Sequence, residues 1–217
     1  MAKNKKTFGD TINDLFRRED WATARKLLKE ELKKDPENHW LLTQLGVTFY
    51  EQRRYVQALK LIEASLKIKA DCPLTLWNLA GTLDMLGKHR RAIEVFSWLL
   101  ASKTSPAADP CWESEAWANA LKTDTVYRLG ACYDALGEDS VARPLYRQYL
   151  DLLLKGGEGT YSIEDVTGRI RALQSARGHK SVGDELRKAV KSALQLSGGQ
   201  PRNGGRSALL RACKRIS

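Results

Sequence analysis

Leu42-Thr43-Gln44-Leu45-Gly46-Val47-Thr48-Phe49, followed by Ala58-Leu59-Lys60-Leu61-Ile62, is the stretch that decides the fold. Thirty-four residues on, the same spacing returns as Leu76-x2-Leu79-Ala80-x2-Leu83 and Ala92-x3-Phe96. It returns again as Val126-x2-Leu129-Gly130-x2-Tyr133 and Ala142-x3-Tyr146. A half-hidden copy precedes these, with Ala24-x3-Leu28 thirty-four residues before Ala58-x3-Ile62 and Pro36 closing it. Its first helix runs through Thr11, Ile12, Leu15 and Phe16, and Ile12 stands where the other copies have Gly or Ala. A fixed period of this size marks a chain of stacked, similar units, the end units being atypical. Gly46, Ala80 and Gly130 let the first helix of a unit approach the second closely, and Ala58, Ala92 and Ala142 do the same from the second. Gly87 and Gly137 fall just past a first helix, where a left-handed turn residue is wanted.

The register breaks once. Ala92 and Ala142 are 50 residues apart, one period plus 16. The extra residues fall near 102–117, which opens with a proline-containing loop and continues as Cys111-Trp112-Glu113-Ser114-Glu115-Ala116-Trp117, a helical stretch. The spacing therefore predicts a lengthened first helix in the last unit.

This pattern resembles the tetratricopeptide repeat, a helix-turn-helix unit of about 34 residues. The resemblance covers roughly residues 7–154. It implies an all-α fold, a right-handed superhelical solenoid of four units near 7–38, 39–72, 73–104 and 117–154, with residues 155–197 as a capping hairpin. That hairpin would begin at Ser162-x2-Asp165, a helix-start box, and return from Ser181-x2-Asp184. In this family the first helices line a concave groove that holds a peptide or helix of a partner. By phase, the groove takes Trp40, Thr43, Val47 and Tyr50, then Trp77, Asn78, Gly81 and Asp84, then Tyr127, Arg128, Ala131 and Asp134. The carboxylates Glu51, Asp84 and Asp134 imply a ligand with some basic side chains. Some relatives grip a C-terminal carboxylate with Lys, Asn and Arg spread over three units. The matching positions here are Thr43, Val47, Asn78, Asp124 and Arg128, so that clamp is not expected.

The chain has 217 residues and a formal net charge of +10. Residues 155–217 hold 13 Lys/Arg and 5 Asp/Glu (+8), against 23 and 21 (+2) in residues 1–154. The basic character thus lies behind the repeats. Residues 198–205 read as a flexible linker. The following amphipathic segment, with Arg202 before it and Arg206, Arg211, Lys214 and Arg215 within it, is basic and lacks interleaved aromatics. Two further readings attach to this tail: a nucleic-acid contact through phosphate, or docking into the protein's own or a neighbour's groove in a self-assembling scaffold.

The four cysteines show no paired spacing, no run of 18 apolar residues occurs, and no apolar stretch follows the charged N-terminus. A reduced, cytoplasmic setting is expected. His39, His89 and His179 are far apart in sequence, and no metal-ligand spacing or catalytic grouping is legible. The reading is a non-catalytic adaptor or scaffold without cofactor or metal, binding a protein or peptide, with homo-oligomers as a further possibility.

Overall fold

The structure, a computed structural model, describes residues 6–102 and 114–175. Every regular element among them is a helix. The helices fall into two compact units, residues 1–70 and 71–217. In the first unit α1 (Phe8–Arg17) pairs with α2 (Trp21–Lys34), and α3 (His39–Glu51) with α4 (Tyr55–Ile68). In the second, α5 (Pro73–Met85) pairs with α6 (His89–Ala101) and α7 (Glu115–Ala135) with α8 (Asp139–Leu154), while α9 (Ile163–Ser175) follows. None of these helices is long and apolar enough to cross a membrane. The insertion loop at 103–113, the second cap helix expected from Ser181, and the basic tail lie outside the described residues.

The small positions do what their size permits. A Cβ placed on Gly46 would stand 3.0 Å from Ile62 Cγ1 and 3.4 Å from the Ala58 carbonyl oxygen. On Gly130 it would stand 3.1 Å from the Tyr146 ring and 3.4 Å from the Ala142 carbonyl oxygen. The two helices of each pair therefore meet backbone to side chain at those points. In the first pair Ile12 takes that position and is 0% exposed, so its own side chain fills the space that close approach would remove. Ile12, Leu28, Leu41 and Leu45 form the core there, flanked by Phe8, Phe16, Trp40 and Leu61.

Polar side chains cap the starts of α1, α2, α3, α7 and α9. Thr7 and Asp10 form a reciprocal capping box on α1, Asp20 and Asn38 accept from Thr23 N and Leu41 N, and Ser114 accepts from Trp117 N on α7. Ser162 and Asp165 open α9 as the sequence pattern predicts, with Asp165 N donating to Ser162 Oγ at 3.1 Å. Helix α7 runs for 21 residues against 13 for α3 and α5, the lengthening that the broken register implies.

All four pairs turn through one motif. The second and third residues after the first helix donate back into its last turn: Glu19 N to Phe16 O and Asp20 N to Leu15 O, Arg53 N to Tyr50 O and Arg54 N to Phe49 O. Gly87, Lys88, Gly137 and Glu138 repeat it. Each turn needs a left-handed residue. Gly87 (φ 72°) and Gly137 (φ 71°) supply it freely, but Glu19 (φ 56°) and Arg53 (φ 59°) carry side chains there. A left-handed non-glycine residue costs about 1 kcal/mol or more. Arg53→Gly is therefore expected to stabilise residues 6–70 by about 0.5–1 kcal/mol after the added freedom of the unfolded chain is counted. A denaturant midpoint that rises without a change in slope would bear this out; a lower midpoint would count against it.

Candidate partner-binding surface

Within the first unit, Trp40 is half-buried and meets Phe8 edge to face, ring centroids 6.5 Å apart. The two rings border an open depression rimmed by Glu31, Asp35 and Asn38. Tyr50 is half-buried and packs edge-on against Tyr55 at 5.4 Å, and Val47 is half-buried beside it on the same helix. Thr43 is not open to a ligand: it is 0% exposed. Its hydroxyl lies 2.8 Å from Ser65 Oγ and donates to the His39 carbonyl. The threonine is short enough to fall under α4, so it links the pair instead of facing outward.

In the second unit, Trp77 is half-buried and stands edge-on to Phe96 with centroids 5.5 Å apart. Asn78 donates to the Leu74 carbonyl at 2.8 Å, and Gly81 is buried. Asp84, at the end of α5, is the hub of this face. Its Oδ2 takes Arg128 Nη2 at 3.1 Å, and its Oδ1 takes His89 Nδ1 at 2.8 Å and Cys132 Sγ at 3.4 Å. Burial, then the Asp84 carboxylate, pushes the Cys132 thiol far above its ordinary range, so it stands as a protonated donor. Arg128 also lies over the Phe96 ring, 5.9 Å from its centroid, and donates to Tyr161 Oη at 3.3 Å.

The expected positions on α7 are largely closed. Tyr127 is 5% exposed because Tyr161, from the segment before α9, stacks flat on it at 3.6 Å and 15°. Asp134 accepts from Tyr146 Oη at 3.0 Å and pairs with Arg169 Nη1 at 3.2 Å. Asp124 accepts from Thr160 N at 2.8 Å and from the Thr160 hydroxyl. Burial pushes the Tyr146 hydroxyl far up and keeps it neutral in that contact. Ala131 is half-buried. The reason is physical: the chain after Leu154 turns back and lays Thr160, Tyr161 and Arg169 on the face of α7 that phase alone leaves open. Of the carboxylates read as attractors of a basic ligand, Asp84 and Asp134 are thus already paired, and Glu51 stays exposed at the end of α3, which reduces the charge argument for such a ligand to that one group.

The sequence reading also missed a grouping. Asp84, His89 and Cys132 each offer a donor atom, all within 4.8 Å of one another. The Asp84–Cys132 contact spans 48 residues and crosses the insertion, so no local spacing reveals it. The repeat phase holds the signal: position 134 matches 84 across the 50-residue offset, and position 132 lies half a turn before it on α7.

Comparison with known proteins agrees with this architecture. Residues 15–80 match the tetratricopeptide repeat family. No curated protein matches the sequence. Among solved structures, a crystal structure of MamA is 22% identical, with a TM-score of 0.55, over 87% of this chain and 94% of its own. MamA residues 41 to the end from Desulfovibrio magneticus RS-1 are 16% identical, with a TM-score of 0.58, over 93% of this chain and 99% of their own. A kinesin light chain of Podosopora anserina with nearly identical TPR-like repeats is 14% identical, with a TM-score of 0.56, over 88% and 95%. These likenesses establish the fold, an all-α helical-repeat solenoid.

Proposed function

We propose that this chain, a tetratricopeptide repeat protein, is a non-catalytic scaffold that holds a partner's peptide or helix against the first helices of its repeats. Protein binding is the general use of such arrays, whose stacked units make extended surfaces. The observation that carries the finer reading is Trp77. It stands partly out of the α5 face and is fixed by the Phe96 ring, with the Asp84–Arg128 pair held by α7. A large, rigid, amphipathic side chain of this kind gives contact area at little entropic cost, the profile of an interface anchor. Trp40 and Tyr50 offer the same chemistry within residues 1–70.

Since Asp84, Asp124 and Asp134 are engaged internally, the ligand is read chiefly through apolar and aromatic contact. Binding should therefore tolerate salt. The tail-based readings, nucleic acid through Arg202, Arg206, Arg211, Lys214 and Arg215 or docking into a groove, rest on residues outside those described. A peptide selected from a random display library on the full chain supplies the test. Trp77→Ala should weaken it by at least about tenfold, roughly 1.4 kcal/mol, with helicity unchanged. Tyr127→Phe, whose ring lies under Tyr161, should leave affinity within about twofold, well under the 1.4 kcal/mol that a tenfold change represents. Equal binding by Trp77→Ala would refute the assignment, and a steep fall of affinity with salt would favour a charge-led contact.

A further inference from the structure

The geometry points to a zinc-class metal site built from Asp84 Oδ1, His89 Nδ1 and Cys132 Sγ. The three donors come from the end of α5, the start of α6 and the last turn of α7, so one ion would tie together both helices of one repeat and the first helix of the next. All three atoms already lie within 4.8 Å of one another, with His89 Nδ1 at 2.8 Å and Cys132 Sγ at 3.4 Å from the carboxylate oxygen. Zinc bonds of about 2.0–2.2 Å to nitrogen and oxygen and about 2.3 Å to sulfur place tetrahedral ligands roughly 3.3–3.7 Å apart. The Asp84–Cys132 distance of 3.4 Å already lies in that range, and the His89–Asp84 distance of 2.8 Å needs only a small outward adjustment to enter it.

The donor set selects the ion. Calcium and magnesium take oxygen ligands, whereas sulfur, nitrogen and oxygen together suit a borderline-soft divalent cation. Cys132 is 0% exposed on a 21-residue helix, so its sulfur position is fixed by the fold. Arg128 Nη2 holds the other carboxylate oxygen, Asp84 Oδ2, at 3.1 Å. That contact orients the carboxylate, the role an outer-shell partner plays at metal centres, and leaves Oδ1 for the ion. The Asp84 and His89 side chains are 13% and 23% exposed, which gives the ion a path and leaves a fourth position for water. On binding, the Cys132 thiol gives its proton to solvent as the metal–sulfur bond forms. A neutral His89 keeps its proton on Nε2.

Cobalt(II) titration of the reduced full-length chain tests this, because thiolate coordination produces a near-ultraviolet charge-transfer band. One equivalent should develop the band and zinc should then abolish it by displacement. Cys132→Ser should remove the band, and His89→Ala should weaken binding by at least about tenfold, the lower end of effects at such centres. A chain with Cys72, Cys111 and Cys213 all changed to Ser should keep the band, since Cys132 is then the sole thiol. Absence of the band in the unmodified chain overturns the site. So does its persistence in Cys132→Ser, or its loss in the chain whose sole thiol is Cys132, which decides the matter if Cys132→Ser does not fold.

Discussion

Gly130→Val is expected to destabilise the unit that contains α5–α9 by on the order of 3 kcal/mol, the upper range for overpacking a tight helix contact. A Cβ alone would lie 3.1 Å from two atoms of the Tyr146 ring. That ring has nowhere to go: Tyr146 is 0% exposed, its hydroxyl donates to Asp134, and Tyr127 and Arg169 stand against its faces. Two further methyl groups must push α7 away from α8, against the Ala142 carbonyl oxygen 3.4 Å from the new Cβ. The gain in helix propensity on leaving glycine, below about 1 kcal/mol, does not offset this. Gly130→Ala makes the informative contrast. Ala80 already occupies the equivalent position above Phe96 in the preceding repeat, and alanine recovers propensity while asking the ring to yield a few tenths of an ångström. Its effect should stay within about 1 kcal/mol of zero. Chemical denaturation of the three proteins separates these outcomes, and a valine variant as stable as the parent would show that the helices are not held at contact distance.

Phe96→Ala should cost about 3–5 kcal/mol, the usual range for deleting a buried aromatic ring. Phe96 is 0% exposed between α5 and α7. It carries more than core volume, because one edge supports Trp77 at 5.5 Å and one face receives the Arg128 guanidinium at 5.9 Å. The substitution should thus lower partner affinity even under conditions where the protein remains folded, by freeing Trp77 and loosening the Arg128–Asp84 pair. Loss of stability with no change in peptide affinity would separate the core from the proposed surface. Phe96→Leu, which keeps more apolar volume and lacks the ring, should be milder in stability and close to Phe96→Ala in affinity.

Much of the hairpin geometry was legible because it is local. Gly46 and Gly130 mark close approaches, Ile12 marks a pair that fills its gap differently, and Gly87 and Gly137 mark left-handed turns. The same turns at Glu19 and Arg53 were not legible, since a side chain there gives no sign of φ near 60° and the fold holds the conformation at a cost. The candidate surface was less visible. Repeat phase assigns Tyr127 and Asp134 to an open face, but contacts from Tyr161 and Arg169 across more than 30 residues close it. Thr43 failed for a smaller reason, a side chain too short to clear α4. Asp84, His89 and Cys132 converge only when α5, α6 and α7 stack, which no spacing within one repeat encodes.

The central claim is that a partner lies along the first helices of the repeats. Hydrogen exchange of the full chain, with and without the selected peptide at saturation, tests it most directly. The prediction is slowed exchange in α5, centred on Trp77 and Asn78, with the second helices α6 and α8 unchanged. Protection confined to those second helices, or to the chain beyond residue 175, would contradict it.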